Sequence, residues 1–183
     1  MIIDGNGVLL YEETDREATF SDLLNVGQEQ TSATIGAILA RLSALETRNW
    51  ANYTPALTSS AGSTNPNVGA GAVRSGRFKR DGNVVYGYAR VTLGSSGVNA
   101  GTGSYFISLP VAPRAFTGME QVIGGAYFWD GSASRRYTGI SRLSSGDGAR
   151  ARIISADGAM VGATAPFVPA TGDAFSINFM YEV

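Results

Sequence analysis

The stretch Phe175-Ser-Ile-Asn-Phe-Met-Tyr-Glu-Val183 decides the fold. Phe175, Ile177, Phe179, Tyr181 and Val183 alternate with Ser176, Asn178, Met180 and Glu182. Successive side chains of a strand point to opposite faces, so a period of two predicts a half-buried strand with one apolar face. The alternation runs to residue 183, so this end of the sequence is expected to be built into a sheet.

Working outward, the same alternation recurs at residues 84–93. Val85, Gly87, Ala89, Val91 and Leu93 interleave with Val84, Tyr86, Tyr88, Arg90 and Thr92. Further strands are expected at 51–58, 73–80, 105–109, 120–129, 137–143 and 149–155. Asp81-Gly82, Asp130-Gly131, Asp147-Gly148 and Asp157-Gly158 supply turn signals among them. Roughly eight strands at this spacing predict an antiparallel β-sandwich, most simply jelly-roll-like, over residues 50–183. The stretches 59–72 and 93–104 read as long loops, which in a compact domain are functional or pack on neighbours.

Before residue 50 the period changes. From Thr31 to Arg48 the sequence is helical in type and holds no proline, and Thr31 or Ser32 is the expected N-cap. Ser21 is a candidate cap for a short preceding helix that Gly27 would interrupt. Ile35, Ile38, Leu42 and Leu45 are spaced three, four and three apart, the a/d pattern of a coiled coil. With Ile35 at a, Arg41 falls at g and Glu46 at the following e, the pairing that sets register between parallel chains. Isoleucine at both a and d leans toward three strands. The seam predicts a homotrimer whose interface includes Ile35, Ile38, Arg41, Leu42, Leu45 and Glu46. The competing reading is an amphipathic helix packed on its own domain, and Leu39 at e widens the stripe accordingly. Two heptads alone are too short to hold a trimer, so the head is expected to share the contact. Residues 1–30 read as a lead-in, with Val8–Tyr11 as a short strand or an anchor onto a partner.

Charge follows the same division. Residues 1–48 carry eight acids and three arginines, a net of −5; residues 49–183 carry eleven bases and seven acids, a net of +4. Such asymmetry suggests two jobs. The eleven bases, ten of them arginine, are scattered among turns instead of forming a stripe, which argues against a nucleic-acid surface. No apolar run approaches the ~18 residues of a membrane span, and residues 1–7 lack the basic and apolar regions of a signal peptide.

The 183 residues include no cysteine and no histidine. Disulfides, thiolate nucleophiles, Ser-His-Asp triads and histidine metal sites are thereby excluded. A Ser-Lys dyad would depend on Lys79, the single lysine, flanked by Arg77 and Arg80 on an expected hairpin. Paired carboxylates for glycoside cleavage would have to come from seven head acids, four of them in Asp-Gly turns, where the side chain commonly bonds its own backbone. The expectation is a non-enzyme with no cofactor and no metal.

One segment reads as a binding patch. Trp129-Asp130-Gly-Ser-Ala-Ser-Arg135-Arg136-Tyr137 puts an indole, a phenol, two guanidiniums and a carboxylate around one hairpin turn. Aromatic rings stack on apolar sugar faces while Arg and Asp hydrogen-bond hydroxyls or carboxylates, so the cluster suits saccharides. The competing reading makes Trp129 and Tyr137 cross-strand core partners and leaves the arginines to solvate the turn. Trp50 and Tyr53 are expected to dock the start of the head onto the stalk.

In order and style the chain resembles bacteriophage tail-fibre or minor tail proteins of the type common in phages of actinobacteria. The resembling stretches are 11–24 (YEETDREATFSDLL), the short coil ending in Leu45-Glu46, 50–58 (WANYTPALT), 76–91 (GRFKRDGNVVYGYARV) and 106–113 (FISLPVAP). The resemblance implies a virion protein, on the tail or the capsid surface, that is attached to other virion proteins by its N-terminal region and trimerised by the coil. It implies a head that binds host-surface carbohydrate or another receptor. Alternatives are a purely structural capsid fibre, decoration or tail-tip role and, further off, a polysaccharide depolymerase.

Overall fold

The computed structural model describes residues 2–3, 9–10, 20–46, 50–60 and 62–183, with side chains for 25–41, 50–60 and 62–183. The chain falls into two compact units, Met1–Arg48 and Asn49–Val183.

In the first unit, β1 (Ile2–Ile3) pairs antiparallel with β2 (Leu9–Leu10), which accounts for part of the strand expected at Val8–Tyr11. Helix α1 runs without a break from Phe20 to Glu46. The helix therefore does not start at Thr31 or Ser32, and Gly27 does not interrupt it. Each glycine costs a helix only ~1 kcal/mol relative to alanine, and this segment contains no proline. Thr31 sits mid-helix and donates its hydroxyl to the Gly27 carbonyl (2.9 Å), and Thr34 does the same to Gln30 (2.9 Å). Ile35, Ile38 and Leu39 are 52%, 51% and 60% exposed, so about half of each side chain on this stripe stays open. Arg41 is exposed as well. The side chains of Leu42, Leu45 and Glu46, the other expected interface positions, lie outside the described residues.

The second unit is mainly β. Its strands are β3 (Ala51–Tyr53), β4 (Leu57–Ser59), β5 (Val73–Asp81), β6 (Val84–Thr92), β7 (Tyr105–Ser108), β8 (Gln121–Asp130), β9 (Arg135–Leu143), β10 (Arg150–Ser155) and β11 (Ala174–Glu182). They form one antiparallel sheet in the order β3-β5-β6-β11-β8-β9-β10-β7-β4. The expected sandwich of two separate sheets is replaced by this single sheet.

The order itself demands curvature. β3 and β4 lie at opposite ends of the sheet, yet only Thr54, Pro55 and Ala56 separate them in sequence. Laid flat, nine strands at ~4.8 Å spacing would hold these ends roughly 38 Å apart. The four residue steps from Tyr53 to Leu57 reach at most ~14 Å. The sheet must curl until its ends meet. The Ala56 N–H donates to the Ser108 hydroxyl (2.8 Å), the Ser108 N–H to the Ala56 carbonyl (2.9 Å) and the Tyr53 hydroxyl to the Ser108 carbonyl (3.5 Å). Curling covers sheet edges that would otherwise invite pairing with other chains. The single strand expected at 51–58 is split at Pro55, which cannot donate to a ladder.

The concave side holds the core. Along β11, Phe175, Ile177, Phe179 and Tyr181 are buried while Asn178, Met180 and Glu182 are exposed, as the alternation requires. Phe175 is fully buried among Tyr105, Phe128 and Phe167, with ring centroids 5.8, 6.0 and 5.9 Å away. Tyr53 packs edge-on against Phe78 (5.9 Å) and Phe179 (6.4 Å), and Trp50 edge-on against Tyr86 (5.6 Å). Both thus dock the first strand onto the head's own sheet. The two long loops pack on each other: Asn67 and Asn99 exchange backbone hydrogen bonds (2.8 and 3.0 Å), and Ala70 bridges to Ser96. Each Asn side chain accepts the N–H of the glycine two residues on, Gly69 (3.0 Å) and Gly101 (2.7 Å).

Candidate functional site

β11 is the middle strand of the segment β5-β6-β11-β8-β9, and its outward residues near Ala174 are small. Register fixes what surrounds them. Ala174 lies between Thr92 of β6 and Trp129 of β8; Ser176 lies between Arg90 and Tyr127. One strand further, Arg136 of β9 pairs with Trp129 and Thr138 with Tyr127. Two small residues flanked by four large ones leave a groove of about 350 Å³, with Ala174 and Ser176 as floor and Arg90, Tyr127, Trp129 and Arg136 as walls.

Within the groove Arg136 is held from two sides. Its Nε donates to the Tyr127 hydroxyl (3.1 Å), and its guanidinium carbon lies 5.1 Å from the centre of the Trp129 ring. The Arg90 side chain is exposed and makes no hydrogen bond, ion pair or ring contact among the described residues. Neither arginine pairs with a carboxylate among those residues. Other head arginines do: Arg114 with Glu182 (3.3 Å), Arg142 with Glu120 (2.8 Å) and Arg152 with both Glu120 (3.3 Å) and Asp147.

The five residues singled out from sequence do not share one surface. Trp129 and Arg136 are in the groove. Tyr137 pairs with Phe128 and stacks on Phe167 (5.3 Å), on the core side. Arg135 lies over the Tyr137 ring (4.9 Å). Asp130 is buried in the turn, accepting the Ser132 hydroxyl (2.7 Å) and the Ala133 N–H (3.0 Å). These bonds, the Ser132 hydroxyl foremost, hold its carboxyl below the usual carboxylate range. Trp129 and Tyr137 are consequently not cross-strand partners; Trp129 faces Arg136 and Tyr137 faces Phe128.

Arg90, Tyr127, Ala174 and Ser176 complete the groove and were missed. The alternation in 84–92 and in 175–183 places Arg90 and Ser176 on the outward register, but nothing local tells which strands become neighbours. Asp173, just before the groove floor, was also missed. Fully buried, it accepts the Gly131 N–H (2.8 Å) and the Ala170 N–H (2.7 Å), while its own carbonyl accepts the Leu93 N–H (2.8 Å). It ties the β8–β9 turn and the end of β6 to the start of β11.

Other clefts are less equipped. One at 101–104 and 162–165 is lined mostly by Gly, Ala, Ser and Thr; another beside Phe116 and Gln121 contains Arg114, already paired with Glu182. No group of three or more acidic residues placed to hold a metal occurs among the described residues, and no helix there is long and apolar enough to cross a membrane. Compared with known proteins, the chain matches no family model, no curated protein and no solved structure.

Proposed function

We propose that this protein is a non-catalytic appendage of a virion, self-associating through α1 and binding host-surface glycan through the outer face of its curled sheet. The observation that carries the binding role is the groove. It offers two guanidiniums without carboxylate partners, beside an indole, a phenol and a hydroxyl, on a surface whose remaining arginines are largely neutralised or engaged. A concave site with a small number of polar groups set beside aromatic rings is what ligand recognition needs.

Two observations support the rest. The apolar stripe Ile35, Ile38 and Leu39 stays half exposed on a helix of ~40 Å, and a second and third copy offer the same stripe at matching heptad positions. In the same register Gln28 and Thr31 occupy a and d, which interrupts the apolar seam between Leu24 at d and Ile35 at a. For a non-catalytic head, the support lies in its carboxylates. Asp130, Asp157 and Asp173 accept hydrogen bonds from their own turns or adjoining segments, and Glu120, Asp147 and Glu182 are ion-paired. A glycosidase needs two carboxyls facing one open space.

Sedimentation of the full chain tests self-association: a trimer is expected at micromolar concentration, with Ile35→Asp plus Ile38→Asp giving monomer. A wild-type monomer would remove the stalk. Binding of the full chain to a panel of bacterial surface polysaccharides tests the head, with Trp129→Ala expected to abolish it. Binding nowhere on the panel, together with a particle image showing this face covered by a neighbouring subunit, would leave a purely structural role.

A further inference from the structure

We infer that the groove selects saccharides that carry a carboxylate, with Arg90 and Arg136 as the anion clamp, an inference that rests on the glycan-binding reading above. Charge comes first. Among the groove residues no acid is present, and both arginines lack a carboxylate partner among the described residues. An unneutralised pair of cations in a concavity concentrates anions at that point.

Orientation comes second. The Arg136 Nε–H is committed to the Tyr127 hydroxyl (3.1 Å) and its plane rests by Trp129 (5.1 Å), which leaves the terminal nitrogens for a ligand. A guanidinium so held matches a planar carboxylate through two parallel N–H···O bonds and has already lost much of the freedom that binding would cost. The same contact changes the role of Trp129. One face of its indole is occupied by Arg136, so it serves first as a platform for the cation and only then as a stacking surface.

The neighbouring groups fit a sugar ring attached to that carboxylate. Tyr127 accepts from Arg136 and keeps its own O–H to donate, and the Ser176 hydroxyl on the floor can donate and accept. A groove of about 350 Å³ is near the small end of ligand sites and holds roughly one or two sugar rings. That size points to recognition of a single carboxylated residue within a glycan.

The test uses the full chain and a panel of carboxylated glycans, uronate and sialate types both, each beside its carboxyl-reduced counterpart and a sulfated neutral glycan. The acid forms are expected to bind, with the reduced forms at least about tenfold weaker. Arg90→Ala and Arg136→Lys should each weaken acid binding roughly tenfold to hundredfold, the second despite conserving charge, with near-ultraviolet circular dichroism unchanged. Equal binding of acid and reduced forms, lost in Trp129→Ala, would overturn the carboxylate inference and leave glycan binding standing. Preference for the sulfated glycan, or equal competition by DNA, would overturn it as general anion binding. Failure of every glycan to bind would overturn both readings.

Discussion

Replacing Phe175 by alanine tests the architecture beneath the groove. Phe175 is fully buried and is the residue on which three rings converge, Tyr105 from β7, Phe128 from β8 and Phe167 from the segment before β11. Its neighbours Ala174 and Ser176 are the groove floor, so the inward anchor and the outward site alternate along one strand. A buried Phe→Ala change costs ~3–5 kcal/mol through lost transfer energy and a residual cavity, and three rings from three segments leave little chance of collapse, so ~4 kcal/mol is expected. For a unit the size of residues 49–183 this corresponds to a Tm lower by about 12–16 °C. Urea unfolding of the full chain followed by near-ultraviolet circular dichroism reads the head transition, with the midpoint lowered and the slope unchanged. Phe175→Leu should fall between wild type and alanine. Ser176→Ala, one residue away on the outer face, should stay within ~0.5 kcal/mol of wild type. A Tm drop under about 3 °C for Phe175→Ala, or an equal drop for Ser176→Ala, would refute the inward–outward assignment of β11 and with it the groove.

The alkaline limb of stability follows from two buried phenols, Tyr105 and Tyr181, and the half-buried Tyr53. Burial raises Tyr105 and Tyr181 to about 12 and Tyr53 higher still, its further cause being Tyr181 nearby. Unfolded phenols ionise near 10, so above that pH the unfolded state sheds protons that the folded state keeps. Stability is fully present below pH ~10 and is lost as pH rises through about 12. In a spectrophotometric titration these three should ionise only with unfolding, and their titration in the native state near 10 would contradict their burial. Gly139→Ala should impair folding outright, because the added Cβ would lie 2.0 Å from the Ile154 carbonyl oxygen across the β9–β10 pair. Soluble expression and an unfolding midpoint equal to wild type would contradict that pairing.

Much of the fold was legible because it rests on local chemistry. Alternation marks a half-buried strand wherever one face is covered, and residues 84–93 and 175–183 declared themselves with boundaries close to those found. The Asp-Gly pairs marked turns because an Asx side chain and a glycine free to take positive φ favour reversal; Gly82, Gly148 and Gly158 have φ of 58°, 64° and 86°. Pro55 was visible but its consequence was not. It breaks the ladder, and only the full pairing order sends the two halves to opposite ends of one sheet. The helix start was misplaced for a related reason. Thr31 is a good cap by type, but a side chain caps only if the preceding backbone leaves the helix, and residues 20–30 are already helical.

By itself, the sequence determined the composition of each surface: a β head with a strongly alternating last strand, an acidic helical segment with a short apolar seam, and a chain without the side chains of histidine- or cysteine-based catalysis. Tertiary structure alone decided which surfaces meet. Arg90 and Arg136 are 46 positions apart, and what joins them is the pairing of β6 with β11, β11 with β8 and β8 with β9. The five residues that looked like one patch in sequence separate because neighbours along a strand or across a turn project to opposite faces. Backbone hydrogen bonds carry no record of side-chain identity, so register is set by burying the whole apolar face at once. The groove is a product of that global choice.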